Sequence, residues 1–398
     1  MRDTESPRPV PPDVLRTARS IAAAQLAGGA IGWPDGHVDP WDHVECAMAL
    51  SACGLRGPAR HAYQWLADTQ RADGSWARTT VNGKITDHAA ESHHAAYVAV
   101  GVWHEFLISA DRGFIARMWP VVRDAIGWVL DLQTQRGEVA WERDAAGRPG
   151  TFALLSGCSS ILHGLCCAIA IAELVEEPQP DWELCAAQLG HVLACHPEAF
   201  ADKSRFAMDW YYPVLSGALR GAAAASRLAD GWDTFVVPGL GVRCVSDQPW
   251  VTVAETCELV LALEACGLRE QAAELFGVVG RQRHDDGSYW TGWQFANQEH
   301  FPAERSNWTA ASSQSGCGSP VSSASAIAQR KPCRMLEHPD SSAKAPGRAA
   351  ASRSPATAPR GACSSRTQPI ASRTVGHISA AKPRSPVTRN ACQTPTAT

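Results

Sequence analysis

Gln70-Arg71-Ala72-Asp73-Gly74-Ser75-Trp76 recurs in outline along most of a 398-residue chain, and its reading decides the fold. Gln25 leads through Gly28 and Gly29 to Trp33, Gln133 through Gly137 to Trp141, and Gln282 through Gly287 to Trp290. Each copy closes a run of apolar residues at helical spacing. A glycine adopts the left-handed conformation that stops a helix, and an indole a few residues later has the apolar area to pin the returning chain. Repeated units of this kind predict an array of helical hairpins.

Helical periodicity covers residues 14–25, 42–53, 58–70, 89–107, 114–133, 159–174, 182–195, 210–228, 251–266 and 270–282. Two classes alternate. Runs such as 56–70 and 269–282 carry charge on one face and suit the surface, whereas 46–53, 95–103, 161–171 and 253–265 are apolar nearly all round and rich in Ala, Cys and Gly. The second class predicts inner helices starting near Asp42, Ala89, Ser159, Trp210 and Val251, with a sixth near Asn307. The outer partner expected at 228–237 is short and weakly periodic. Six hairpins closed in a ring make an all-α (α/α)6 toroid, in which each inner helix has two neighbours.

The connections are unequal. Inner-to-outer links are tight, as at 54–57 and 267–268, while outer-to-inner links at 71–88, 134–158, 238–250 and 284–306 are long. One mouth of the ring therefore collects the long loops, where binding residues concentrate, and the positive ends of the inner helices.

Composition divides the chain near residue 310. All 15 tryptophans lie between Trp33 and Trp308, and no Trp, Tyr or Phe follows. From Thr309 on, twelve Lys or Arg face only Glu337 and Asp340, so the part before carries 24 basic and 38 acidic residues. That acidic body excludes nucleic acid as a partner class. The expected organisation is a disordered N-terminus at 1–11, a toroid at 12–310 and a disordered low-complexity tail at 311–398. Because the change falls inside what should be the closing inner helix, the favoured reading of the tail is a shifted reading frame, with a natural basic tail as the alternative. Residues 1–13 lack the apolar segment of a signal peptide, and no run approaches the roughly 18 apolar residues of a membrane span. Most of the 14 cysteines sit within apolar runs and read as reduced core residues. The cytoplasm is the expected compartment.

The candidate site residues cluster at the starts of the inner runs. Asp87, Glu91 and His94 stand at i, i+4 and i+7, which predicts one helix face. Glu-x-x-His can ligate a metal, but nothing in the sequence requires a metal or cofactor. Trp41-Asp42-His43-Val44-Glu45 opens the first inner helix, with Asp42 either an N-cap or an acid facing a carboxylate across the ring. Arg205, Asp209, Trp210 and Tyr211 interleave charge with aromatic area before the fourth. Arg243, Trp250 and Glu255 do so before the fifth. Asp87, Glu91, Asp209 and Glu255 are the expected acids or bases, and the remaining residues of these groups, with Trp41, Asp42, His43, Glu45 and His94, the expected substrate contacts. Paired carboxylates in an aromatic cavity can cleave a glycosidic bond or act on an isoprenoid cation, which aromatic faces stabilise.

The Gln-x-x-x-Gly-x-Trp of Gln70 to Trp76 resembles the repeat of squalene and oxidosqualene cyclases and of protein prenyltransferase β-subunits. Met208-Asp209-Trp210-Tyr211-Tyr212-Pro213 and Asp286-Gly287-Ser288-Tyr289-Trp290-Thr291-Gly292 resemble short bacterial toroid proteins labelled prenyltransferase. The resemblance implies a transferase or cyclase acting on an isoprenoid or isoprenoid diphosphate. The same ring is also the frame of six-hairpin glycosidases, so a glycoside hydrolase or lyase using Trp41, Trp210 and Trp250 as sugar platforms is the second expectation. A non-catalytic toroid that binds a ligand is the third.

Overall fold

The computed structural model describes residues 12–315; the expectations for 1–11 and for the tail beyond Ser315, including the shifted frame, lie outside the described residues. Its helices are α1 Pro12–Ala24, α2 Pro40–Ala52, α3 Arg56–Thr69, α4 Ser92–Ser109, α5 Arg112–Leu130, α6 Leu155–Leu174, α7 Pro180–Cys195, α8 Ala207–Leu215, α9 Gly221–Phe235, α10 Val253–Ala265, α11 Arg269–Val279 and α12 Asn307–Ser315. The even-numbered helices form the inner ring. Each packs on the next, and α12 packs back on α2. Outer helices α3, α5, α7, α9 and α11 each pack on the preceding inner helix, whereas α1 packs on α12. The first helix is thus the outer half of the sixth hairpin, and the (α/α)6 toroid is closed.

Burial explains which helix goes where. In α4, Ala95 to Val102 are buried on all sides, and α6 is buried along most of its length. Helix α6 corrects one expectation: by length and composition it could cross a membrane, but 78% of its apolar window is buried among the other helices. It is the packed wall of a ring. Most of the ten described cysteines are buried in these walls.

The repeat does more than stop and clamp. The Gln70 amide donates to Gly74 O at 3.0 Å and to Val121 O of α5 at 2.9 Å. Gln25 does the same to Gly29 O and to Pro58 O of α3, and Gln133 to Gly137 O and Cys185 O of α7. Each glutamine therefore closes its own turn and ties its outer helix to the next. At the turn, Gly74 has φ +92° and a Cβ there would lie 2.1 Å from Asp124 O, so only glycine allows the approach. The indole of Trp76 donates to Leu66 O at 2.9 Å, which supplies the expected clamp.

The single run expected at 210–228 is two helices. Inner helix α8 ends after Pro213 at the Ser216-Gly217 turn, and outer helix α9 takes over the residues beyond, leaving no short partner at 228–237. The ring also extends past residue 310, since α12 continues to Ser315.

The long outer-to-inner connections carry strands. β1 His37–Val38, β2 Thr79–Val81 and β3 Lys84–Asp87 form an antiparallel sheet with His37 opposite Val81. β4 Ala90–Glu91 pairs with β5 Glu142–Arg143. β6 Val236–Val237, β7 Gly241–Arg243, β8 Trp250–Thr252, β9 Gly292–Gln294 and β10 Glu299–His300 make a five-stranded sheet in the order β10-β9-β8-β7-β6, with Trp250 opposite Gln294. All of these rim the mouth at which the inner helices begin.

Candidate active site

Four inner helices begin with a buried carboxyl group. On α2, Asp39 caps the helix by accepting from Asp42 N at 2.9 Å, and Asp42 accepts from the Trp33 indole at 2.5 Å. Burial first, then the neighbouring Asp39, hold the Asp42 carboxyl well above its ordinary range. On α4, Glu91 meets Arg78 Nε at 2.6 Å, yet burial pushes it up to about 8. On α8, Asp209 accepts from Ser156 N at 3.3 Å and burial raises it to about 6. On α10, Glu255 is buried and accepts from the Thr252 hydroxyl.

Asp42 and Glu255 stand on either side of α12. Trp308, in the first turn of α12, lies 6.0 Å from the Trp33 ring and packs in one cluster with Trp33 and Ala254. One indole therefore adjoins both the donor to Asp42 and the residue before Glu255. Beside them, His93 stacks on Trp141 at 4.3 Å and lies 5.1 Å from Trp41. Burial keeps His93 and His94 neutral, lowering His94 to about 4. Glu91, His93 and His94 each bring one donor atom within 4.8 Å of the others, the spacing a metal ion uses. His93 Nδ1 is buried without a hydrogen-bond partner among the described residues.

One turn further along the inner helices lies an axial cavity of about 50 Å3 to which all six contribute. Trp41 and Glu45 come from α2, Tyr97 from α4, His163 from α6, Tyr212 from α8, Glu258 from α10 and Ser312 from α12. Tyr97 stacks on Trp41 at 3.7 Å and donates to Glu45. Glu258 accepts from both Tyr211 and Tyr212, and burial with the nearby Glu255 raises it to about 8. Glu258 was not anticipated. Its signal is its place three residues after Glu255, hence on the same face of α10.

Other expectations are redirected. Asp87 does not share a helix face with Glu91 and His94: it ends β3, before the helix, where Arg78 pairs with it at 2.8 Å. His43 is an internal support, accepting from Ile31 N and donating to Ala62 O of α3. Trp210 turns outward, stacking on Phe235 and donating to Arg227 O of α9, so it is no sugar platform. Arg205 is half exposed and paired with Asp247. Arg243 holds the β7–β8 turn through Ser246 O and Gln248 O and covers Phe295, while Trp250 packs edge-on against Phe301. Tyr211 is wholly buried. Asp42, Glu45, Glu91, His94, Asp209 and Glu255, with Trp41, do stand at one mouth or just inside it.

This architecture is that of the α/α-toroid glycosidases. A solved wild-type glycosidase superposes with a TM-score of 0.61 at 14% identity, covering 76% of this chain and 94% of its own. The GH63 mannosylglycerate hydrolase of Thermus thermophilus gives 0.61 at 12%, covering 76% and 99%. A D-mannose isomerase gives 0.60 at 11%, covering 77% and 95%. At these identities the likeness is one of fold. No family model matches the chain. The sequence is 53% identical over 302 residues to the MMP endo-(1,4)-3-O-methyl-alpha-D-mannosidase of Mycolicibacterium hassiacum, spanning 76% of this chain and 84% of that one. The chain belongs to the glycoside hydrolase family of that enzyme. It is also 27% identical over 192 residues to an uncharacterized glycosyl hydrolase of Methanocaldococcus jannaschii, spanning 45% of this chain and 30% of the relative.

These relationships overturn the main expectation from sequence. The glutamine–tryptophan repeat resembles that of cyclases and prenyltransferases because it solves a problem shared by α/α rings, tying neighbouring outer helices together. It says nothing about the chemistry inside. The protein is not a prenyltransferase, transferase or terpenoid cyclase, and the isoprenoid substrate falls with that reading.

Proposed function

We propose that this protein hydrolyses an α-mannosidic bond within a mannosyl chain, with O-methylated mannosyl units as its substrate class. The observation that supports this reading is the 53% identity to the Mycolicibacterium hassiacum endo-mannosidase over most of both chains, joined to a mouth lined by buried carboxyls. Such hydrolysis needs one carboxyl that delivers a proton to the glycosidic oxygen and a second that acts on the opposite side of the sugar. Asp42 has the properties of the acid. It is buried beside Asp39, and burial first and then Asp39 hold its pKa well above the ordinary carboxylate range. Glu255, across α12 and held by Thr252, is the second carboxyl.

The remaining mouth residues suit a sugar. Neutral His93 and His94 offer ring nitrogens to hydroxyl groups, and Arg78 orients Glu91 as an acceptor. Bound hydroxyls would give His93 Nδ1 the partner it lacks. Cysteines buried within apolar helices suit the reducing compartment expected from sequence, the cytoplasm.

The test is hydrolysis of a 1,4-linked 3-O-methylmannan oligosaccharide by the wild-type protein and by Asp42→Asn and Glu255→Gln. Each substitution should lower kcat by about 10²- to 10⁴-fold while ligand binding persists. A wild-type protein that cleaves no mannoside, or variants with unchanged turnover, would overturn the assignment.

A further inference from the structure

Glu91, His93 and His94 meet at the start of α4 at distances that direct hydrogen bonding does not explain. Glu91 Oε2 lies 3.6 Å from His93 Nδ1 and 3.6 Å from His94 Nε2, and Asp39 Oδ1 lies 3.9 Å from the same His94 nitrogen. A charge-assisted hydrogen bond between such groups closes to about 2.7–2.9 Å. Donor atoms that share one ion through bonds of about 2.1 Å stand about 3.4 Å apart at the corners of a tetrahedron. The three side chains have the separation of atoms with an ion between them. His93 Nδ1, which faces Glu91, is buried and has no hydrogen-bond partner among the described residues, and buried polar atoms in native proteins are nearly always satisfied.

The fold holds these groups in place before any ligand arrives. Ser92, between Glu91 and His93, is tied to Trp141 O through its backbone N at 2.9 Å and to Ala140 O through its hydroxyl at 2.8 Å. The His93 ring stacks on Trp141, and Arg78 takes the other Glu91 oxygen, Oε1. Charge points to a cation. Arg78 is one guanidinium among three carboxyls, Asp87, Glu91 and Glu142, and Asp39 adds a fourth beside His94. Two imidazole nitrogens and one carboxylate oxygen, with a fourth position open, are a donor set for zinc and similar transition-metal ions. Calcium and magnesium take oxygen ligands instead.

We infer that Glu91, His93 and His94 bind one zinc-like divalent ion, and that its occupancy excludes the sugar from the same ring nitrogens. The ion site stands on the geometry of the three side chains, while its competition with a sugar rests on the mannosidase reading. Occupied enzyme must release the ion before those nitrogens can meet a mannosyl hydroxyl, so zinc acts as a reversible competitor of substrate.

The experiment is calorimetric titration of Zn2+ into the full-length protein, freed of metal by dialysis against EDTA and kept reduced, with Mg2+ and Ca2+ as comparison ions. It is repeated with Glu91→Gln, His93→Asn and His94→Asn, and with His163→Asn on α6, outside the cluster. Thermal melting confirms that each variant is folded. The expected result is one zinc equivalent in wild type that is weakened at least about a hundredfold in each cluster variant, is kept in His163→Asn, and is not matched by Mg2+ or Ca2+. Zinc at about ten times its Kd should raise KM for methylmannan about tenfold with kcat unchanged, and EDTA should restore it. Absence of zinc binding to wild type, or binding equal in wild type and the folded cluster variants, would overturn the ion site whether or not the protein cleaves mannosides. Zinc bound at the cluster with KM unchanged would overturn the competition. Absence of any mannoside cleavage by wild type would remove the mannosidase reading and leave the ion site to be decided by the titrations.

Discussion

The indole of Trp33 donates to the carboxyl of Asp42 at 2.5 Å, across the first turn between α1 and α2. This bond favours the ionised form of Asp42, whereas burial and the facing Asp39 favour the protonated form and prevail. The balance can be moved from either side. Asp39→Asn removes the like-charged neighbour while keeping an N-cap acceptor, so the Asp42 pKa should fall and the alkaline limb of kcat/KM should move to lower pH. Trp33→Phe should move that limb the other way. Profiles measured between about pH 4 and pH 9 check both signs, and limbs that stay in place would remove Asp42 as the titrating acid.

Arg78 draws three carboxyls together: Asp87 at 2.8 Å, Glu91 at 2.6 Å, and Glu142. It thereby pins β3, the start of α4 and β5 to one guanidinium. Arg78→Ala leaves Glu91 buried without its cation, and breaking a buried pair in this way costs about 3–5 kcal/mol when desolvation is complete. Arg78 is about a quarter exposed, so a loss of about 2 kcal/mol is expected in denaturant unfolding. Arg78→Lys should recover only part of it, because an ammonium cannot reach three carboxyls with one planar fork.

Stability should pass through a maximum near neutral pH. Glu258 has its pKa raised from 4.5 to about 8, so the folded state holds a proton that the unfolded state releases, and stability falls as pH rises across that interval. His43, His94, His104 and His163 are lowered from 6.5 to about 4. Their folded forms refuse protons, so stability instead rises from about pH 4 to pH 6.5. Glu258→Gln should flatten the alkaline limb by up to about 1.4 kcal/mol per pH unit and, because its interval begins at pH 4.5, steepen the rise between about pH 4.5 and 6.5. Melting temperatures across the range test this, and an alkaline limb of equal slope in the variant would show that Glu258 is ionised in the folded protein.

The ring was legible in the sequence because its causes are local. Apolar periodicity marks each helix, and the glutamine-to-tryptophan stretch marks each return. The fourth hairpin was misread because α8 and α9 are both largely apolar, and only the short Ser216-Gly217 turn divides them. The site was legible in part. Asp42, Glu91, Asp209 and Glu255 stood out as charges at the starts of apolar runs, which the parallel inner helices bring to one mouth. Directions could not be read. Trp210 and Tyr211 are adjacent, yet one serves the outer layer and the other Glu258. His43 looked like a ligand because its partners, Ile31 N and Ala62 O, are backbone groups contributed by the fold. The chemistry was misassigned because the motif that carried the resemblance is a tie between outer helices and touches no reacting group.

That tie also predicts how the ring opens. Gly287 has φ +93°, and a Cβ there would lie 2.8 Å from the Arg16 backbone carbon, so the last repeat is seated on the first helix. Arg283 adds a bond to Asp13 O at 2.7 Å. Helix α1 is held to α12 by packing and to the last repeat by these contacts, with almost the whole ring between them in sequence. Gly287→Ala combines an unfavourable backbone conformation with a clash that the helix must move to relieve, a loss of about 1–3 kcal/mol. Because hairpin arrays are stabilised through nearest neighbours, amide exchange should accelerate first in α1 and α12 and leave α4 and α6 protected. Gly74→Ala, which crowds Asp124 O at 2.1 Å, should instead loosen the junction of α3 with α5. If both variants lost protection evenly around the ring, the toroid would unfold as one cooperative unit and Gly287 would not be its closing contact.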